Sequence, residues 1–526
     1  MIRRLALLLL VCAPAPLRLS AQSFWRPEDR TIVGSFTRIT AVAASYTTVY
    51  VASLDAVVQW QPGTRSFGLP VPAEIPGGLS RVTAGLVDPL DGSLWLSETN
   101  GWIHYEPDLR RWTEGFASGP VLQMALDRSD PSGTLYLRTA RGWESAPRGA
   151  VNAFPSQAPR QPIVPNTVLE AIRENPQIDA NRAAILSTPG LGQGRYTCAA
   201  RSPDGSGWWL GTDGAGVLFL QLGAGFPQHH ALGLPGDQVG AVFAAPGGVW
   251  VLTERGATSL AGLSFVSARL DTADWRLGDP VFGQPFTAVR KLVGVDTTLW
   301  AATDQGAVGF PIRGGRDRRL GLADGLPDER VFAVAAEHGN VYFGTWAGIG
   351  QLVDSAGRLR VRRVAPAFAD RALSLIAEGD TLWVGTLNGL FRWAPGEEDL
   401  RQAAGWGSLP RFRKPVVALA WRADTLVALT EDEMLWRDPA SRSWTEGPVL
   451  SGIVGPIRAV VDDRDGLWVA GARGVGFARL GGPIQRPLLT GDALPGFATD
   501  LAIDDDFLWV ATDHGLVRFA LDYVRP

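Results

Sequence analysis

A chain of 526 residues with 49 Lys and Arg against 53 Asp and Glu has a formal net charge of −4. That balance offers no basic face to nucleic acid or to an anionic membrane. Two cysteines exclude a disulfide scaffold, and a chain this long can bury a core without one.

The first residues read as targeting. Arg3 and Arg4 precede the apolar run 5–12, and Ser20-Ala21 offers small residues for cleavage, so 1–21 is expected to be a signal peptide. The run falls well short of the ~20 residues of a spanning helix. Removing 1–21 takes away Arg3, Arg4 and Arg18 and no acid, which moves the charge from −4 to −7. The mature chain is therefore expected to be exported, periplasmic or extracellular, without a transmembrane span. Cys198, in the strand-like run Tyr196-Thr197-Cys198-Ala199-Ala200, reads as a buried, inert thiol.

After a strand-like segment at 30–36, one short phrase returns eleven times. It is clearest in Leu382-Trp383-Val384-Gly385-Thr386-Leu387-Asn388-Gly389-Leu390 and in Leu508-Trp509-Val510-Ala511-Thr512-Asp513-His514-Gly515-Leu516. The marker residues are Tyr50, Trp95, Tyr136, Trp209, Trp250, Trp300, Tyr342, Trp383, Val427, Trp468 and Trp509. Their spacing stays between 41 and 50 except for one step of 73, from Tyr136 to Trp209. A recurrence of about forty residues made of β-rich runs around a Gly turn predicts an all-β chain built as a β-propeller.

The unit around Trp383 shows how a blade is written. A small, apolar first strand at 372–377 suits a crowded central channel. A polar turn, Glu378-Gly379-Asp380, leads to a second strand at 381–386, and Asn388-Gly389 turns into a third at 390–393. In other units a Pro-containing turn brings a fourth strand, as at Trp436-Arg437-Asp438-Pro439 before Arg442-Ser443-Trp444-Thr445. Each blade is thus a four-stranded antiparallel meander. The marker aromatics are expected between neighbouring blades, and Leu-Pro steps such as Leu326-Pro327 and Leu494-Pro495 carry the chain onward.

The Leu-Trp-Val-Gly-Thr-x-x-Gly-Leu phrases and Asp324-Gly325-Leu326-Pro327-Asp328-Glu329-Arg330-Val331 resemble the two-component regulator propeller repeats. The resemblance spans nearly all of 38–526. It implies a sensor-type or secreted bacterial propeller, here without a kinase or DNA-binding domain and without a membrane span after the repeats.

Eleven motifs exceed the roughly four to eight blades of one ring, so two rings are expected. Only six residues, 521–526, follow the third strand of the last repeat, too few for a fourth. The segment 30–36 is predicted to supply it and to close that ring. The expected division is propeller A from 22–160 (closing strand 30–36 and blades 1–3) with 371–526 (blades 8–11), and propeller B from 191–370 (blades 4–7). A contiguous four-plus-seven division and a single large ring are the alternatives. Between them, 161–190 holds a helical insert. Thr167-Val168-Leu169-Glu170 has the form of a capping box, and 179–186 is a second helical run. The insert is read as a spacer between domains, with a lid on a binding face as the alternative.

Catalytic signatures are missing: no H-E-x-x-H, no G-x-S-x-G, no Walker loop and no zinc-type Cys/His spacing. Gly190-Leu191-Gly192-Gln193-Gly194 precedes a strand and reads as a linker, not a nucleotide loop. The acidic stretches Asp462-Asp463-Arg464-Asp465-Gly466 and Asp504-Asp505-Asp506 read as solvated hairpin turns. No metal and no cofactor is expected.

In a meander blade the turns between second and third strands emerge on the same face as the crossings between blades. Function usually sits in such loops. The candidate ligand-binding residues on that face are Asn100, Arg141, Asp213, Glu254, Arg255, Asp304, Gln305, Trp346, Asn388, Arg473, Asp513 and His514. The expected function is a non-catalytic envelope module for recognition, assembly or sensing, whose partner is an envelope protein or a glycan or peptide ligand. The alternative is a glycan-active propeller enzyme, with carboxylates such as Asp213, Asp304 and Asp513 converging from different blades about 5 to 9.5 Å apart.

Overall fold

The repeated phrase folds as two strands whose turn is held by its own threonine. Thr386, buried, donates its hydroxyl to the Gly389 carbonyl at 3.0 Å and accepts the Asn388 N–H at 3.0 Å. Thr512 does the same with Gly515 at 2.7 Å and His514 at 3.1 Å. The glycine is required twice over. Gly306 has φ +106°, and a Cβ there would lie 2.3 Å from the Leu320 carbonyl oxygen.

The structure, a computed structural model, describes residues 25–526 apart from 27–28, 62, 64–65, 74, 76–77, 181, 183–194, 225–226, 231, 255–261, 271–272, 278–286, 356 and 410–412. The leader, the 190–194 loop, Arg255 and most of the 179–186 helical run lie outside the described residues. Eleven antiparallel sheets form the blades, nine of four strands and two of five. Blade 8 runs Ala372–Glu378, Thr381–Thr386, Gly389–Trp393 and Arg401–Gln402.

The marker aromatics fill the seams between blades. Trp383 of blade 8 packs with Val416, Leu426 and Leu435 of blade 9, and Trp468 of blade 10 with Leu501, Leu508 and Val510 of blade 11. In three of them the indole N–H goes to an acid five residues earlier: Trp383 to Glu378 at 3.1 Å, Trp468 to Asp463 at 3.0 Å, and Trp509 to Asp504 at 2.9 Å. Asp463 and Asp504 are therefore acceptors for buried indoles, which corrects the reading of their turns as merely solvated.

Inner-strand contacts divide the blades four and seven in chain order. The first strands of blades 5 to 11 (Val239–Ala245, Lys291–Val295, Val331–Glu337, Ala372–Glu378, Ala418–Arg422, Ile457–Asp463 and Ala498–Ile503) each lie beside the next, and the last returns to the first. Trp509 of blade 11 accordingly packs against Val242, Val249 and Val251 of blade 5. The expected grouping of blades 1–3 with 8–11 and of 4–7 together is corrected. Blade 4 packs Trp209 against Val42, Val49 and Val51 of blade 1, which joins blades 1–4 in a smaller ring.

The closing strand is where it was expected. Arg30–Val33 pairs antiparallel with the third strand of blade 11, placing Arg30 opposite Phe519 and Ile32 opposite Val517. Shared pairing of the two ends nevertheless does not put blade 1 in that ring. The chain leaves the strand through 34–38, builds blades 1–4, and comes back alongside itself: the Leu234 N–H bonds the Gly34 carbonyl at 2.8 Å, and Ser35 bridges Gly233 and Leu234. A few extended residues are enough to separate a strand from the blade that follows it.

The insert is not a spacer. Its first helix, α1 (Val168–Glu174), has the predicted capping box, with the Glu170 N–H on Thr167 Oγ1 at 3.2 Å and the Thr167 N–H on Glu170 Oε2 at 2.9 Å. Ala171 of α1 and Ile178 of α2 (Gln177–Ala180) are fully buried with Trp208, Leu210 and Leu220 of blade 4. Helices that short are marginal alone. They fold here because their apolar side covers the flank of blade 4 that faces away from blade 1.

Candidate functional site

The channel of the seven-bladed ring is shaped by a repeated defect in its inner strands. In blades 5, 7, 8, 10 and 11 the register slips by one residue near the start of the first strand, a β-bulge at Gly240, Phe332, Leu373, Arg458 and Thr499. A bulge re-aims the side chain it carries. All five positions stand ten residues before their marker aromatic, and so does Arg290 of blade 6. These residues line one cavity of about 460 Å³ to which all seven inner strands contribute.

The same cavity is lined by polar groups that already have partners. Lys291 Nζ meets the buried Asp500 Oδ1 at 2.8 Å, and Asp500 also accepts the Val242 N–H at 3.2 Å. Ser374 donates to the Val416 carbonyl at 3.0 Å.

At the mouth over blades 6–8, arginines and aromatic rings interleave. The Arg290 guanidinium lies 4.5 Å over Phe332, and Arg371 sits 5.3 Å from Phe332 and 3.4 Å from Trp346. Arg330 stacks on Trp346 at 4.0 Å. The Phe332 and Trp346 rings are 6.0 Å apart. Arg290 is neutralised by Asp304 at 2.6 Å and Arg330 by Asp328 at 3.0 Å; hydrogen bonding to Arg330 holds the Asp328 carboxyl below its ordinary range.

Of the predicted residues, Asp304, Trp346 and Asn388 come together at this mouth. Asn388 donates its side-chain amide to Asp370 Oδ2 at 3.1 Å. Gln305 follows Asp304 in the same turn, with its N–H on Thr303 Oγ1 at 3.1 Å. Glu254, half-buried on blade 5, has its carboxyl pushed up by burial, and Arg473 of blade 10 bonds the Ser451 and Gly452 carbonyls. Asn100 and Arg141 are exposed turn residues of blades 2 and 3, on the small ring. Asp213 pairs with Arg38 at 3.1 Å where the chain crosses between rings. Asp513 accepts the Phe497 N–H at 2.7 Å and contacts His514 at 3.0 Å. Each of the three acids named for the enzymatic alternative thus has its own local partner, and they belong to blades 4, 6 and 11.

Sequence reasoning passed over Arg290, Phe332, Arg371 and Arg458, all in or next to inner strands. A signal was available: aligned on the marker aromatic, the position eleven before it is apolar in all seven blades (Val239, Val289, Val331, Ala372, Val416, Ile457, Ala498), while its neighbour is unrestricted. A second titratable cluster lies at the junction of the rings. Burial raises the carboxyls of Asp55 and Asp237, and the hydrogen bond to Asp513 raises His514.

No family model matches the chain, and no curated protein matches it. Among solved structures, PorZ, an essential bacterial surface component of the type-IX secretion system of Porphyromonas gingivalis, is similar with a TM-score of 0.59 at 10% identity, over 93% of this chain and 87% of that one. The extracellular domain of a putative hybrid two-component system from B. thetaiotaomicron has a TM-score of 0.44 at 13% identity, over 92% of this chain and 70% of its own. Virginiamycin B lyase from Staphylococcus aureus has a TM-score of 0.44 at 14% identity, over 54% of this chain and 95% of its own. At such identities the likeness to PorZ concerns the fold. Among the described residues no helix is long and apolar enough to cross a membrane.

Proposed function

We propose that this chain is a non-catalytic recognition module of the cell envelope, exported under its N-terminal leader, that binds a ligand or protein partner at the channel mouth of the seven-bladed ring. The observation that supports this reading is the set of bulged inner-strand residues aimed into one cavity beside an exposed Trp346. A rigid ring that fixes side chains around an opening is suited to recognition, because little ordering entropy remains to be lost on binding. The similar fold of PorZ, a bacterial surface component, is in keeping with an envelope setting.

Amide exchange of the full chain, with and without a cell-envelope extract, tests the reading. Protection is expected in the turns around Trp346 and Asn388, together with loss of that protection in Trp346→Ala. Protection confined to the opposite face, or to the small ring, would overturn it.

A further inference from the structure

We infer that the ligand of this mouth carries a carboxylate, received by Arg371 and Arg458. The inference rests on the mouth being the recognition surface. Three guanidiniums stacked through two rings repel one another unless anions lie beside them. Arg290 and Arg330 have theirs in Asp304 and Asp328. The Arg371 guanidinium makes no ion pair among the described residues. Its neighbour Asp370 uses one oxygen on the Arg371 backbone N–H at 2.7 Å and the other on Asn388 at 3.1 Å. The Arg371 Nε is buried and has no hydrogen-bond partner. Seated 3.4 Å over the Trp346 ring, this guanidinium contacts the ring without using its N–H donors in an ion pair, and a planar guanidinium can take a carboxylate through two parallel bonds.

Arg458 is the second uncompensated cation. It occupies the bulge of blade 10, is exposed in the cavity, and makes no ion pair among the described residues. Glu431 lines the same cavity, also without a cation partner. Its charge weighs against a dianion such as phosphate and offers an acceptor for hydroxyl or amide donors. The chemistry that fits is one carboxylate on a small molecule that also bears such donors. An acidic sugar or the carboxyl end of a peptide would meet it, and a cavity of about 460 Å³ is of a size for either.

Isothermal titration of the full chain at low ionic strength separates the two sources. The probes are D-glucuronate against D-glucose, and N-acetylglycine against its amide. At least one carboxylate is expected to bind about tenfold or more tighter than its uncharged match, and to lose about fivefold or more in Arg371→Gln and in Arg458→Gln. Which pair shows the difference identifies the source. Arg371→Gln keeps a planar group on Trp346, so unchanged melting separates lost recognition from lost folding. The inference is overturned if neither carboxylate binds below about 20 mM, or if both uncharged matches bind as well as their acids. It is also overturned if both arginine variants bind like the parent chain. An uncharged probe that binds, weakens in Trp346→Ala and ignores both arginine variants would sink the carboxylate while leaving the mouth as the recognition surface. Protection confined elsewhere in the exchange experiment would remove the surface itself.

Discussion

Trp383 and Asn388 stand five residues apart in the same phrase and do opposite work. Trp383 is 3% exposed and wedged between blades 8 and 9. Truncating a buried indole removes its transfer energy and leaves a cavity, so Trp383→Ala is expected to cost about 3 to 5 kcal/mol. Asn388 sits in the turn, its N–H held by Thr386, and Asn388→Ala should cost less than about 1 kcal/mol. Urea unfolding of the two variants checks this; equal shifts would mean that the core positions are misassigned. His104 makes a different residue-level case. It is stacked on Trp95 with ring centroids 3.8 Å apart, 2% exposed, and neither ring nitrogen has a hydrogen-bond partner among the described residues. Burial, only partly offset by Glu106, pushes its pKa down to about 4. The folded state therefore disfavours the imidazolium. Its penalty is absent above the unfolded value near 6.5 and complete below about 4. Stability should fall by up to about 3 kcal/mol across that window. In His104→Phe this share of the acid loss should vanish, measured as the difference in unfolding free energy between pH 7.5 and pH 4.

At the scale of elements, the strand Arg30–Val33 and the insert show two ways in which local pattern meets tertiary need. The strand is a short run of four residues, Arg30-Thr31-Ile32-Val33, with no distinctive pattern of its own, and what gives it a place is the row of backbone groups that Gly515–Ala520 leaves open. A chain beginning at Arg38 loses that partner and exposes the edge. Amide protection at Val517 and Phe519 should then drop, with lower melting or aggregation, while a chain beginning at Phe24 should match the full mature form. Unchanged protection in the shorter chain would show that closure comes from elsewhere. The helices of the insert were legible from Thr167 and Glu170, but their role was not. A capping box says where a helix starts, and nothing about which apolar surface it will cover.

At the scale of the whole molecule, the buried clusters of the two rings are separate among the described residues. Tyr50, Trp95, Trp208 and Trp209 serve blades 1–4, whereas Trp509 and Trp468 serve blades 11, 5 and 10. The rings should accordingly open as two units. In Trp209→Ala, exchange should rise through blades 1–4 while Val517 and Phe519 of the large ring stay protected. A parallel rise in both would mean that one cooperative unit spans the rings.

What the sequence determined by itself was the repeat: the blade, its four strands, the core role of the aromatics and the need for a strand from the N-terminal side. These follow from contacts within forty residues or between adjacent units, and they are written in period-two alternation and turn chemistry. What the tertiary structure alone decided was which blades share a ring and which side chains face the channel. Blade 11 meets blade 5 rather than blade 1 because the segment 34–38 carries the chain out of the first ring before a blade is built, and that segment has no composition that says so. Arg371 reaches the mouth and Arg458 the cavity because strands brought together from distant parts of the chain are placed, and in blade 10 bulged, around one axis. Ring closure depends on the geometry summed over every blade, and no single repeat contains it.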